Sequence, residues 1–115
     1  MHAHWDGDTR PLLRYARQTG LDGIEAITPK PQGDVSIEEV RDALGEMFLI
    51  DGIAAILFDP EYPLDELLQQ ASRVIELFAP RLILGISDEI SATGEIDRLR
   101  AVGDLVDQFN AHLPL

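Results

Sequence analysis

The feature that most constrains this chain is an alternation. Short strand-like runs and longer amphipathic stretches follow one another four times, with turn residues between them. A strand, a helix and a second strand in that order form a crossover, which joins parallel neighbours with a right-handed turn. Four such units in 115 residues leave room for one domain, spanning 1–115, of α/β class.

The first unit opens with a short strand at His2–Trp5. Asp6-Gly7-Asp8-Thr9 forms a turn, and a helix is predicted from Arg10 to Thr19, with Pro11 in its first turn and Gly20 beyond its end. The second strand is predicted over Gly23–Ile27. The two prolines and the glycine of the segment Thr28–Asp34 make it a loop. Ser36 and Glu39 then form an S-x-x-E capping box, heading a helix that carries Ile37, Val40, Ala43 and Leu44 and stops at Gly45. The third strand is Met47–Asp51. The connection after it repeats Ile53, Ile56 and Leu57 at helical spacing, which predicts a helical turn. A long amphipathic helix runs from Pro63 to Ala79, the fourth strand over Arg81–Ile86, and the last helix over Glu95–Ala111 with Leu99, Val102, Leu105, Val106 and Phe109 inward.

Composition narrows the class of function. The formal charge of -12 disfavours nucleic acid and anionic membrane surfaces as partners. No apolar run reaches membrane-spanning length, and residues 1–6 lack the pattern of a secretory leader, so a cytoplasmic location is expected. Without cysteine there is neither disulfide nor thiolate chemistry.

Four parallel strands suit either an open doubly wound sheet or half of an eight-stranded barrel, and periodicity does not choose between them. In both, ligands bind where the strands end. That rim carries His4, Asp6, Glu25, Thr28, Asp51, Ser87, Asp88 and Glu89.

The loops carry a resemblance. The segment Asp22-Gly23-Ile24-Glu25-Ala26-Ile27-Thr28-Pro29, followed by Gly33-Asp34 and a helix ending in Leu44-Gly45, resembles the central part of uroporphyrinogen decarboxylase-like proteins. His4-Trp5-Asp6-Gly7-Asp8-Thr9 is similar to the His-x-Cys-Gly-Asn/Asp-Thr segment of that superfamily's cobalamin-dependent methyltransferases. Ile83-Leu84-Gly85-Ile86-Ser87-Asp88-Glu89-Ile90 is similar to the superfamily's last barrel strand and the loop after it. The resemblance implies four βα units forming the C-terminal half of a (β/α)8 TIM barrel. It implies a decarboxylase-like lyase or a metal-assisted methyltransferase acting on a small molecule.

In the methyltransferases a histidine and two cysteines bind zinc. Here His4 stands at the histidine position, while Asp6 and Asp88 stand at the cysteine positions. The resemblance thus implies a set of one imidazole and two carboxylates, suited to a divalent Zn, Fe or Mn ion. The other reading of this set is a polar rim whose acids stay hydrated. Glu25 ends its strand at the same rim, either as a catalytic acid or base or as an acceptor for loop N–H groups. Arg10 and Lys30 are the cations placed there to hold a substrate carboxylate. Asp34 is expected to cap its own loop or the following helix. His2 reads as a terminal residue and His112 as a helix C-terminal one.

A half-barrel has two open sheet edges, which invite pairing. Two copies closing an eight-stranded barrel make a homodimer, and the alternative is a separate chain supplying the other half. Beside an enzyme stand two further expectations, a non-catalytic binding or assembly module and a fragment of a longer enzyme.

Overall fold

Local signals account for most of the elements. In the computed structural model, which describes residues 1–113, helix α2 spans Ile37–Leu44 and begins at the expected capping box. The Ser36 hydroxyl accepts the Glu39 N–H at 3.1 Å and the Glu39 carboxylate accepts the Ser36 N–H at 3.1 Å. Helix α3 spans Leu64–Phe78, with Asp65 and Glu66 in the first turn, where carboxylates offset the N-terminal partial charge. Its face of Leu67, Ala71, Val74, Ile75 and Phe78 is buried. The expected turn after the third strand is a 3-10 helix, Ala55–Phe58. Helix α4 spans Ile96–Ala111 and buries only Val102 fully. Leu105 and Val106 are half-buried, but Leu99 and Phe109, expected inward, are 40% and 36% exposed.

The predicted helix at Arg10–Thr19 is instead two short pieces, helix α1 at Arg10–Leu13 and a 3-10 turn at Ala16–Thr19. The stretch has no N-cap bond and no acid in its first turn, so little holds a longer helix together. Its cap residue, Thr9, is 1% exposed, and among the described residues its hydroxyl has no partner. A buried hydroxyl without a partner is destabilising. Thr9→Val is therefore expected to raise stability by about 1 kcal/mol, measured by urea unfolding.

The four strands, β1 (His2–His4), β2 (Gly23–Glu25), β3 (Phe48–Ile53) and β4 (Leu82–Ile86), form one parallel sheet in the order β1-β2-β3-β4. Strand β2 is shorter than predicted because Ala26 takes a left-handed φ of 69°, which ends the extended run. The order never reverses, so the sheet has no topological switch point and is not doubly wound.

Right-handed crossovers wound in one direction put every helix on the same face. The side chains agree. Ile24, Leu49, Leu82 and Leu84 point into a core shared with α2 and α3, and a second core joins Ile53, Leu57, Phe58, Leu67, Ala71 and Val102. Side chains of the opposite parity stay open: His2, His4, Phe48 and Ile83 are exposed, and Glu25 and Ile50 are partly so. The molecule is a slab 21 Å thick, one sheet under one layer of helices. Among the described residues no helix is long and apolar enough to cross a membrane.

Candidate acid–base site on the uncovered sheet face

Strand pairing builds the site. The register sets His4 beside Glu25 and Glu25 beside Ile50. His2 and His4 are two apart on one strand, so both point to the uncovered face. Glu25 lies between them, with Oε2 3.3 Å from His4 Nδ1 and 3.6 Å from His2 Nε2. The side chain of Glu25 is only 34% exposed, less than either histidine. His2, expected to be a terminal residue, thus belongs to the cluster.

Asp51 joins from the next strand by an unusual route. Normal alternation would turn it toward the helices with Leu49. Its backbone instead takes φ 84°, with Gly52 following at φ 102°, and the side chain swings to the open face. Its Oδ1 sits over Gly85, only 2.6 Å from where a Cβ on that glycine would lie. Gly85 is therefore the bare spot that admits the carboxylate. A non-glycine residue at positive φ holds local strain, a common feature of functional positions.

Burial pushes the Asp51 carboxyl up from its ordinary 3.8, and nearby Glu25 pushes it further, while the Ala26 N–H and His4 oppose the shift. The folded chain therefore binds this proton more tightly than the unfolded chain. That contribution to stability is present below 3.8 and is lost as pH rises through the raised folded value. Asp51→Asn removes the charged form and keeps a residue that tolerates positive φ. Thermal melts are expected to give a higher Tm for the variant at about pH 7, with the gain disappearing below about pH 4.

The other rim residues expected from sequence are engaged elsewhere. Asp6 is exposed and accepts the N–H of Gly7 at 2.8 Å. Asp88 is exposed and accepts from Gln32 Nε2 at 3.1 Å and from the Glu89 N–H at 2.7 Å. Among the described residues no group of three or more His, Asp or Glu side chains is gathered around a possible ion. The structure thus does not bring His4, Asp6 and Asp88 together as a ligand set.

Thr28 and Ser87 are buried and structural. The Ser87 hydroxyl accepts the Gly52 N–H and donates to the Ile27 carbonyl, both at 3.0 Å, tying three strand ends together. Arg10 is not free for substrate. Its guanidinium grips Glu39 and the Asp34 carbonyl, which holds the Glu39 carboxyl at about 2. Asp34 caps neither its own loop nor α2. Its carboxylate accepts the N–H of Arg10, the first residue of α1. Lys30 is exposed. His112 lies at the end of α4, with Nδ1 2.6 Å from the Gln108 carbonyl, as its position in sequence suggested.

Comparison with known families, with curated proteins and with solved structures finds no match. The site's chemistry is therefore read from its own geometry.

Proposed function

We propose that this chain is one half of a (β/α)8 barrel of the uroporphyrinogen decarboxylase-like kind, acting as an acid–base lyase on a small molecule. The observation that carries this reading is the grouping of His4, Glu25 and Asp51 on the uncovered sheet face. Glu25 accepts a hydrogen bond from the Nδ1–H tautomer of His4, which leaves Nε2 as a proton acceptor. Asp51 keeps its proton to higher pH than an ordinary aspartate, which suits a donor. An imidazole held by a carboxylate, beside a second carboxyl that keeps its proton, is an arrangement suited to general acid–base catalysis. Phe48, Ile50 and Ile83 offer apolar ground for the rest of a substrate.

Metal-assisted methyl transfer has less support, because among the described residues no three His, Asp or Glu side chains are gathered where they could hold an ion of Zn, Fe or Mn. The closed barrel requires four further βα units, from a second copy or from a separate chain. A non-catalytic assembly module has its own support in the apolar side chains exposed on the first and last units.

The test is direct. The protein is incubated in D2O with carbon acids of the β-keto-acid and pyrrole-acetic-acid classes, and deuterium incorporation and CO2 release are followed by NMR. Turnover that depends on Glu25 supports the lyase. Absence of exchange across the panel would favour the assembly module.

A further inference from the structure

A second apolar side of α4 is left partly open among the described residues, with Leu99 and Phe109 exposed. One stripe of this helix, Val102 and Leu105, is seated on the core with Leu57, Leu67 and Ala71. A different stripe, Leu99, Gly103 and Val106, repeats at intervals of four and three along the helix, and Leu113 lies just beyond its end. With Phe109 it overhangs the free edge of β4. Between this stripe and Leu82 and Leu84 of β4 lies an apolar cavity of about 500 Å³. A second cavity, of about 370 Å³, continues along the same edge past Gly85 and Ile86. An open strand edge beneath an apolar overhang is the place where a further βα unit would sit.

The opposite end of the sheet supplies matching chemistry. There α1 and the turn after it leave Leu12 and Tyr15 exposed by 46% and 44%. Residues 9–19 contain Arg10, Arg14 and Arg17 and no acid. Arg14 lies exposed over the Tyr15 ring, 4.7 Å from its centre. The α4 groove is flanked by Asp107, which is exposed and, among the described residues, without an ion pair. One end of the sheet is thus apolar with an acid at its margin, and the other is apolar with an available arginine.

We infer that the groove between α4 and β4 is the docking site for α1 and β1 of a second copy of this chain, and that two such contacts close an eight-stranded barrel. The inference rests on the half-barrel reading and names its partner. In a parallel barrel wound in one direction, the helix that follows α4 around the ring is the first helix of the next four units. A two-fold axis along the barrel repeats the contact once and uses up both open edges. Four strands per chain supply the eight that fill such a barrel with side chains. The closed ring also encloses the face bearing His4, Glu25 and Asp51.

The experiment is sedimentation equilibrium of the purified chain up to about 0.5 mM, a range that captures weak association. A closed dimer with no larger species is expected. Arg14→Asp and Asp107→Arg are each expected to weaken it at least about 10-fold, since closure counts every contact twice, and the double variant is expected to recover most of that loss. Gly103→Lys guards against a trivial failure to fold. A Cβ at this position meets nothing within 4 Å in the single chain and opens onto the groove, so the fold is expected to survive while the groove is blocked. A monomer at every concentration, an open-ended series of oligomers, or a dimer indifferent to Gly103→Lys would each overturn the inference. The Asp51 titration, read by NMR on the same samples, reports on the acid–base site whatever the oligomeric state.

Discussion

Gly33→Ala is expected to destabilise the fold by about 3 kcal/mol or more, lowering Tm by roughly 10–15 °C. The cause is steric and lies in the backbone. A Cβ on Gly33 would sit 1.8 Å from the Thr28 carbonyl oxygen and 2.9 Å from its carbon. No rotamer change relieves such an overlap, because neither partner is a flexible side chain. The loop is closed on itself by the Gly33 N–H on the Pro29 carbonyl and the Lys30 N–H on the Val35 carbonyl, at 3.1 and 2.8 Å. Thr28 is itself buried two residues after Ala26, so relief at Gly33 displaces the end of β2 and with it Glu25. Gly103→Ala is the internal control. In the single chain it sits in mid-helix with open space around the added methyl, and at dilutions where the chain is monomeric a gain of about 0.5–1 kcal/mol is expected. Differential scanning calorimetry of both variants checks the contrast. A Gly33→Ala protein melting with the parent would refute the loop geometry.

Glu25→Gln is the second large effect. It keeps the size and a polar tip but removes the carboxylate that His4 Nδ1 faces at 3.3 Å. Proton-transfer turnover is expected to fall about 100-fold or more. The same substitution removes one of the two influences that raise the Asp51 carboxyl. Carbon-13 NMR is therefore expected to find the Asp51 titration moved toward 3.8, though not all the way, since burial remains. Loss of turnover with an unmoved Asp51 would mean that Glu25 acts elsewhere than in this cluster. Asp51→Asn is expected to lower turnover while raising stability, the opposite pairing from a merely structural residue.

The parts of this fold that were legible in the sequence are the local ones. The Ser36–Glu39 box, the strand-then-helix alternation and the stripe of α3 depend on residues within a turn or two of each other. The stretch Arg10–Thr19 has the period of one helix but lacks the capping to hold it, and Thr9 is buried instead of capping. In the site, alternation correctly put His4 and Glu25 at one rim, but their contact depends on strand register, which no single segment carries. Asp51 was placed at the mouth, yet its turn to the open face depends on a positive φ and on Gly85 of a different strand. The Asp51-Gly52 pair was the available signal, since such dipeptides mark departures from regular extension. The partners of Asp6 and Asp88 are loop contacts at close range, and the alignment of motifs alone gives no access to them.

The strand order has a consequence for how the molecule comes apart. Every strand hydrogen-bonds only to its neighbours in the chain, and each helix meets the helices just before and after it. Stability is then transmitted from unit to unit, as in a repeat array. Within one chain the interior units, β2 with α2 and β3 with α3, are flanked on both sides, while the outermost units have one neighbour each. Amide exchange should therefore follow a gradient, slowest in Leu49 and Val74 and fastest toward β1 and α4, so that the terminal units open and reclose without loss of the centre.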